Sequence, residues 1–197
     1  GLARIDMAEI RITDVRQVDE VLDVLHEDIF PFFEFPVTTD CRGFIAALAG
    51  NSAGAKLRTG GVVGNAFPTV DEVASFLHAC ASIDIPFKAT AGLHHPVRGQ
   101  HNLTYEPQSP CCTMHGFLNL FIAATLLRSI KPDMNLTRQV LGEEDPESFR
   151  VSEELIGWRE FLVEVGDVAL ARESFALSFG SCSFDEPVED LKKLGLL

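Results

Sequence analysis

Positive charge is scarce in this chain. Its 197 residues hold 16 Lys and Arg against 29 Asp and Glu, a formal net charge of −13. Nucleic acids and anionic lipid surfaces are recognised by basic footprints, so neither is an expected partner. An anionic substrate has to be held by a local cluster of donors working against the overall field. Long apolar runs are missing as well: no stretch of the sequence approaches the ~20 residues of a membrane span. The five cysteines (Cys41, Cys80, Cys111, Cys112 and Cys182) are odd in number and lack the spacing of a disulfide framework. They read as reduced thiols, which implies a cytoplasmic protein. The opening residues GLARIDMAEI contain neither an apolar signal core nor an initiator Met, so a natural N-terminus is expected further upstream.

What is present suits a globular core. Apolar residues make up 46% and charged residues 23%, which fits one domain over 1–197. Five apolar runs read as strands, at 4–12, 29–37, 53–59, 85–91 and 175–179. Helical spacing of apolar residues follows most of them: 15–26, then a helix capped by Thr38, Thr39 and Asp40 that ends near Gly50, then one starting after Thr69. A last helix is expected over 188–194. Residues 94–174 form a long, mostly helical insertion: a loop over 94–110, an apolar helix over 115–130, and one or two helices over 151–172 around Trp158. Strands alternating with helices imply an α/β fold with parallel strands and right-handed crossovers. Such folds bind ligands at the carboxyl ends of their strands.

Three segments, in order, resemble the deoxyribose-phosphate aldolase group of class I aldolases: Ile5-Asp6-Met7-Ala8, Lys56-Leu57-Arg58-Thr59-Gly60 and Lys88-Ala89-Thr90-Ala91-Gly92. Ser178-Phe179-Gly180-Ser181-Cys182-Ser183 is similar to that family's Gly/Ser-rich phosphate loop. Arg58 stands where the family has a small serine, and the 94–174 insertion exceeds the usual connection. The resemblance implies a TIM-type (β/α) barrel, or the C-terminal five units of one. It implies a lyase that forms a Schiff base on a small oxo compound, phosphorylated or carboxylated, without a cofactor. Lys56 would be the nucleophile, Lys88 its electrostatic partner and Asp6 a proton shuttle. Five units alone leave open sheet edges, so a homo-oligomer or a missing N-terminal part of the barrel is expected.

Each constellation also has a plainer reading. A lysine buried on a strand beside a second cation favours its neutral, nucleophilic form; alternatively, Lys56 and Lys88 pair with Glu9 or Glu34 and fill a polar interior. Ion-paired lysines with no pocket between them would mark a non-catalytic module. Glu9 and Glu34 suit general bases or hard-metal ligands, with salt bridges to Arg11, Lys56 or Arg58 as the favoured alternative. His94, His95, His101, Cys111, Cys112 and His115 are residue types that suit zinc. Their spacings are not those of standard sites, and no metal is assigned; a metal-dependent hydrolase or lyase using this loop stays a rival. Neighbouring strand residues face opposite ways, so one of His94 and His95 is expected to line the site and the other to pack under the loop. Gly180, Ser181 and Ser183 form either a phosphate cradle or a plain helix start before Pro187. Cys182 reads as a packing residue, because no basic neighbour is evident. The substrate-binding set is therefore Glu9, Glu34, Arg58, Thr59, Thr90, His94, Gly180, Ser181 and Ser183. Phe30–35 read as core.

Overall fold

The structure is a computed structural model and describes residues 4–197 apart from Thr39 and Tyr105. Its strands are β1 (Met7–Arg11), β2 (Phe30–Glu34), β3 (Gly54–Arg58), β4 (Phe87–Thr90), β5 (Gly99–Asn102) and β6 (Cys111–Met114). They continue as β7 (Phe149–Val151), β8 (Leu155–Trp158), β9 (Phe161–Glu164) and β10 (Ala176–Gly180). The helices are α1 (Gln17–Leu22), α2 (Arg42–Ala47), α3 (Val70–Ser82), α4 (Phe117–Ser129), α5 (Met134–Gly142), α6 (Val165–Ser174) and α7 (Asp185–Lys193). No helix among the described residues is long and apolar enough to cross a membrane.

The five expected strands form one parallel sheet in the order β1-β2-β3-β4-β10. The strands follow one another in space as they do in the chain, with no reversal, and the long segment after β4 still returns β10 to its side. A closed barrel is not formed by the described residues: β1 and β10 are the two edges. Alternation along the strands sets two faces. Phe33, Ala55, Leu57, Phe87 and Ala89 are register neighbours on one face, and each is 0% exposed. Helices pack there: Phe76 of α3 meets Phe87 edge-on, with ring centroids 5.7 Å apart at 86°. Each such aromatic contributes about 1.5–3 kcal/mol by leaving water. The opposite face carries Glu9, Phe32, Glu34, Lys56, Arg58, Lys88 and Thr90. Gly54 is required on that face, because a Cβ there would lie 2.6 Å from the Phe32 ring.

Thr69 caps α3 as expected, through a capping box with Glu72. The start of α2 differs. Its N-cap is Cys41, without a side-chain cap, and Asp40 instead accepts the Arg42 N–H at 3.1 Å; Thr39 lies outside the described residues. The expected loop over 94–110 includes β5, which pairs antiparallel with β6. The helices expected around Trp158 are replaced by the antiparallel meander β7-β8-β9, and only Val165–Ser174 is helical. The physical reason is a tight turn. Arg159 adopts φ 52°, and a Cβ on Gly157 would lie 2.1 Å from the Phe161 carbonyl oxygen, so the two strands approach too closely for any other residue.

Candidate active site

Two layers of side chains matter, and the strand register separates them. The lower layer joins Lys56 and Lys88, which are Cα partners on β3 and β4. Lys56 Nζ lies 2.5 Å from Glu9 Oε2 and 2.7 Å from Glu34 Oε2, and Lys88 Nζ lies 2.7 Å from Glu9 Oε1. Glu9 thus bridges both ammonium groups, while Lys88 also sits 5.4 Å from the Phe32 ring centroid. Burial alone would depress the Lys56 pKa, but hydrogen bonds to Glu34 and Glu9 outweigh it and raise the pKa above the ordinary lysine value. Burial likewise opposes ionisation of Glu9, and the two lysines overcome it, holding its pKa below the ordinary glutamate value. The lysine neighbour lowers no barrier to deprotonation here: the carboxylates keep Lys56 charged. Asp6 is not brought to this network. It is exposed and precedes β1, three residues or ~10 Å of strand before Glu9.

The upper layer opens into a cavity of about 890 Å³ at the carboxyl ends of β3, β4 and β10. Arg58, Thr90, His94, His95, His101 and Cys182 are among the residues that line it; Lys56 and Lys88 are not. Arg58 and Thr90 are Cα partners, one layer above the lysines. The Arg58 side chain is 51% exposed, with Glu34 no closer than 4.0 Å. Thr90 Oγ1 is buried and has no hydrogen-bond partner.

The chain leaves β4 through two left-handed residues, Ala91 (φ 65°) and Gly92 (φ 73°). A Cβ on Gly92 would lie 2.9 Å from the Phe67 ring, so glycine is required at this turn. Thr59, buried beneath, donates its hydroxyl to the Ala91 carbonyl and so holds the turn rather than lining the cavity. Beyond the turn the chain is pinned to the start of α4. Phe117 N–H donates to His95 O (3.1 Å), Leu118 N–H to Pro96 O (2.8 Å), and Arg98 N–H to Asn119 Oδ1 (2.9 Å).

Because His94 and His95 follow this turn rather than lie on a strand, the expected alternation does not apply, and both line the cavity. His95 Nδ1 is 2.6 Å from Asp190 Oδ2, and its ring stacks on His101 at 3.4 Å between centroids. Desolvation, then the His95 charge, push the His101 pKa down to about 4. His94 turns to the β10 loop instead: its Nδ1 is 3.1 Å from Ser181 Oγ and 3.5 Å from Glu186 Oε2, and Cys182 Sγ is 3.7 Å from both ring nitrogens. Burial lowers the His94 pKa more than Glu186 raises it. Gly180 and Ser181 line the cavity, whereas Ser183 accepts the Glu186 N–H at 3.2 Å and so supports the start of α7.

His115 is directed elsewhere, with its Nε2 2.7 Å from Pro68 O. Among the described residues no three His, Cys, Asp or Glu side chains converge as a metal-binding group.

Comparison with known proteins finds no matching family model, curated protein or solved structure. The geometry therefore carries the functional reading. Four cavity residues with acid–base or nucleophilic side chains lay outside the sequence-based set: His95, His101, Cys182 and Glu186. The histidines were visible as a His-rich loop, but nothing local marked Cys182, whose basic neighbour lies 88 positions away.

Proposed function

We propose that this protein is an enzyme acting on a small oxo compound that bears a carboxylate or phosphate, bound at the carboxyl ends of β3, β4 and β10. One observation carries the reading. Arg58 and Thr90 are Cα partners that both line an 890 Å³ cavity, and the Thr90 hydroxyl is buried there without a hydrogen-bond partner. That volume suits a small ligand, and a guanidinium beside a hydroxyl donor suits an anionic or carbonyl oxygen. In a chain of net charge −13, this is the local donor cluster that an anionic substrate needs. The imidazoles of His94 and His101, which line the same cavity, supply acid–base groups. A panel of small keto acids and sugar phosphates, screened by thermal shift, tests the reading. Members that stabilise the protein should lose their effect in Arg58→Gln and weaken by about tenfold in Thr90→Val. Stabilisation that survives Arg58→Gln unchanged would remove the anchor and with it the reading.

A second reading keeps the imine that the aldolase resemblance implies. Its support is the placement of Lys56 and Lys88 as neighbours one layer beneath Arg58 and Thr90. An imine needs a neutral amine, so the clamp on Lys56 has to open first. Borohydride trapping with aldehydes and keto acids should then give an adduct that increases with pH and is strengthened by Glu34→Gln. The adduct should vanish when the modified lysine becomes Met. Absence of any adduct would leave the lysines as the ion-paired core of the sheet face. The expectation of a partner copy rests on the two sheet edges, β1 and β10, and sedimentation equilibrium tests it directly.

A further inference from the structure

The cavity holds a nucleophile of its own, at the point where the β10 loop meets the β4 turn. Cys182 is exposed, and its Sγ lies 3.7 Å from each ring nitrogen of His94. Of the two nitrogens, Nδ1 also has Glu186 Oε2 at 3.5 Å and Ser181 Oγ at 3.1 Å. The Ser181 hydroxyl oxygen already accepts the Ser183 N–H at 3.3 Å, and a carboxylate only accepts. A proton on Nδ1 has the Glu186 carboxylate as its acceptor, and Nε2 is then the nitrogen that takes the thiol proton. A thiol, an imidazole and a carboxylate in that sequence form the arrangement that activates cysteine for attack: the base takes the proton and the carboxylate orients the base. All three groups line the same cavity as Arg58 and Thr90.

We propose that Cys182 is an activated thiol, with His94 as its base and Glu186 as the group that orients the ring, and that it adds to the carbonyl carbon of the oxo compound held in this cavity. The choice of a carbonyl as its partner rests on the reading proposed above; the activation of the thiol does not. The addition needs no other reactant. The sulfur–carbon bond forms as the carbonyl π pair moves to oxygen. The thiol proton passes through His94 Nε2 to that oxygen, giving a thiohemiacetal with no net oxidation. The Arg58 guanidinium, on the same cavity wall, holds the anionic end of the molecule.

Alkylation of the intact chain by iodoacetamide, read at each cysteine by peptide mass mapping between pH 5 and 9, tests the activation. In this reaction sulfur bonds carbon, iodide leaves and the proton stays on the base. Cys111 is the internal reference: it too is exposed, and its S–H donates to Asn102 Oδ1 at 3.0 Å. The charged and titratable groups that share the cavity with the Cys182–His94 pair are Glu186 from α7, His95 in the same turn, His101 from β5 and Arg58 from β3.

Cys182 should react about tenfold faster than Cys111 at pH 7 and keep its rate at lower pH. His94→Asn should remove that advantage while leaving the Cys111 rate unchanged, which also reports that the fold persists. Glu186→Gln should lower the Cys182 rate by a few-fold. Equal rates at Cys182 and Cys111, or a Cys182 rate indifferent to His94→Asn, overturn the proposal. A carbon-13 signal from labelled glyoxylate bound as a thiohemiacetal, absent in Cys182→Ser, would establish the carbonyl partner. Fast alkylation without that signal would leave the activated thiol standing and count against the oxo-compound reading instead.

Discussion

One carboxylate carrying two ammonium groups is the most constrained feature at the scale of single residues. Glu9 holds Lys56 and Lys88, and Lys56 in turn holds Glu34, whose side chain is 11% exposed. Removing one partner of a buried pair leaves the other charge without compensation, which costs several kcal/mol. Lys56→Met should therefore destabilise the protein by on the order of 3 kcal/mol, read as a lower urea midpoint. A change within experimental error would mean that Glu34 finds another partner. Acid should act on the same network in a definite direction. The Glu9 pKa is held below its ordinary 4.5, so its contribution is complete above that value and disappears as pH falls through the lowered one. The gap in melting temperature between the parent protein and Glu9→Gln should be constant near neutrality and close below pH 4.5. Partners for Glu9 and Glu34 could be anticipated from sequence, because lysines and acids recur at inward positions of neighbouring strands. The Cys182–His94 pair could not, because it depends on how a loop after β10 meets a turn after β4.

At the scale of elements, the cavity wall depends on how α4 begins. Asn119 is 0% exposed and has a partner in three directions: its Oδ1 accepts the Arg98 N–H, and its Nδ2 donates to Val140 O and Glu143 O at 2.8 Å. It thereby joins the histidine-bearing turn to the end of α5. Gly116 makes this approach feasible, since a Cβ there would lie 2.2 Å from Asn119 Oδ1 and 2.6 Å from Arg98 N. Gly116→Ala should cost about 1–3 kcal/mol from overpacking and should loosen the turn carrying His94 and His95. Hydrogen exchange at Phe117 and Leu118, whose amides bond to that turn, would read the loosening; unchanged protection there would show that the turn is held from its other side. Sequence periodicity located the sheet strands well, because their buried face repeats at every second residue. It failed over 149–164, where three short strands stay together through a tight glycine-dependent turn and no repeat is long enough to separate strand from helix.

The whole molecule combines an acidic surface with histidines kept neutral by burial. His78, His94, His101 and His115 all have pKa values lowered from 6.5, in each case chiefly by desolvation, and His101 reaches about 4. Unfolding returns them to their ordinary values, so below pH 6.5 the unfolded chain binds protons that the native one does not. A depressed histidine pKa contributes stability that is complete above the ordinary value and is lost as pH falls below it. Each such group costs up to about 1.4 kcal/mol per pH unit while the two states differ by one proton. Relief of repulsion within a chain of net charge −13 works in the opposite direction, but it requires carboxylates to protonate, and most do so only near pH 4. Between pH 7 and 5 the histidine effect therefore wins. The melting temperature should fall steadily over that window instead of passing through a plateau, and His101→Asn should flatten the slope by removing the group whose pKa falls to about 4. A melting temperature independent of pH from 7 to 5 would mean that these rings take up protons in the native state as readily as in the unfolded chain.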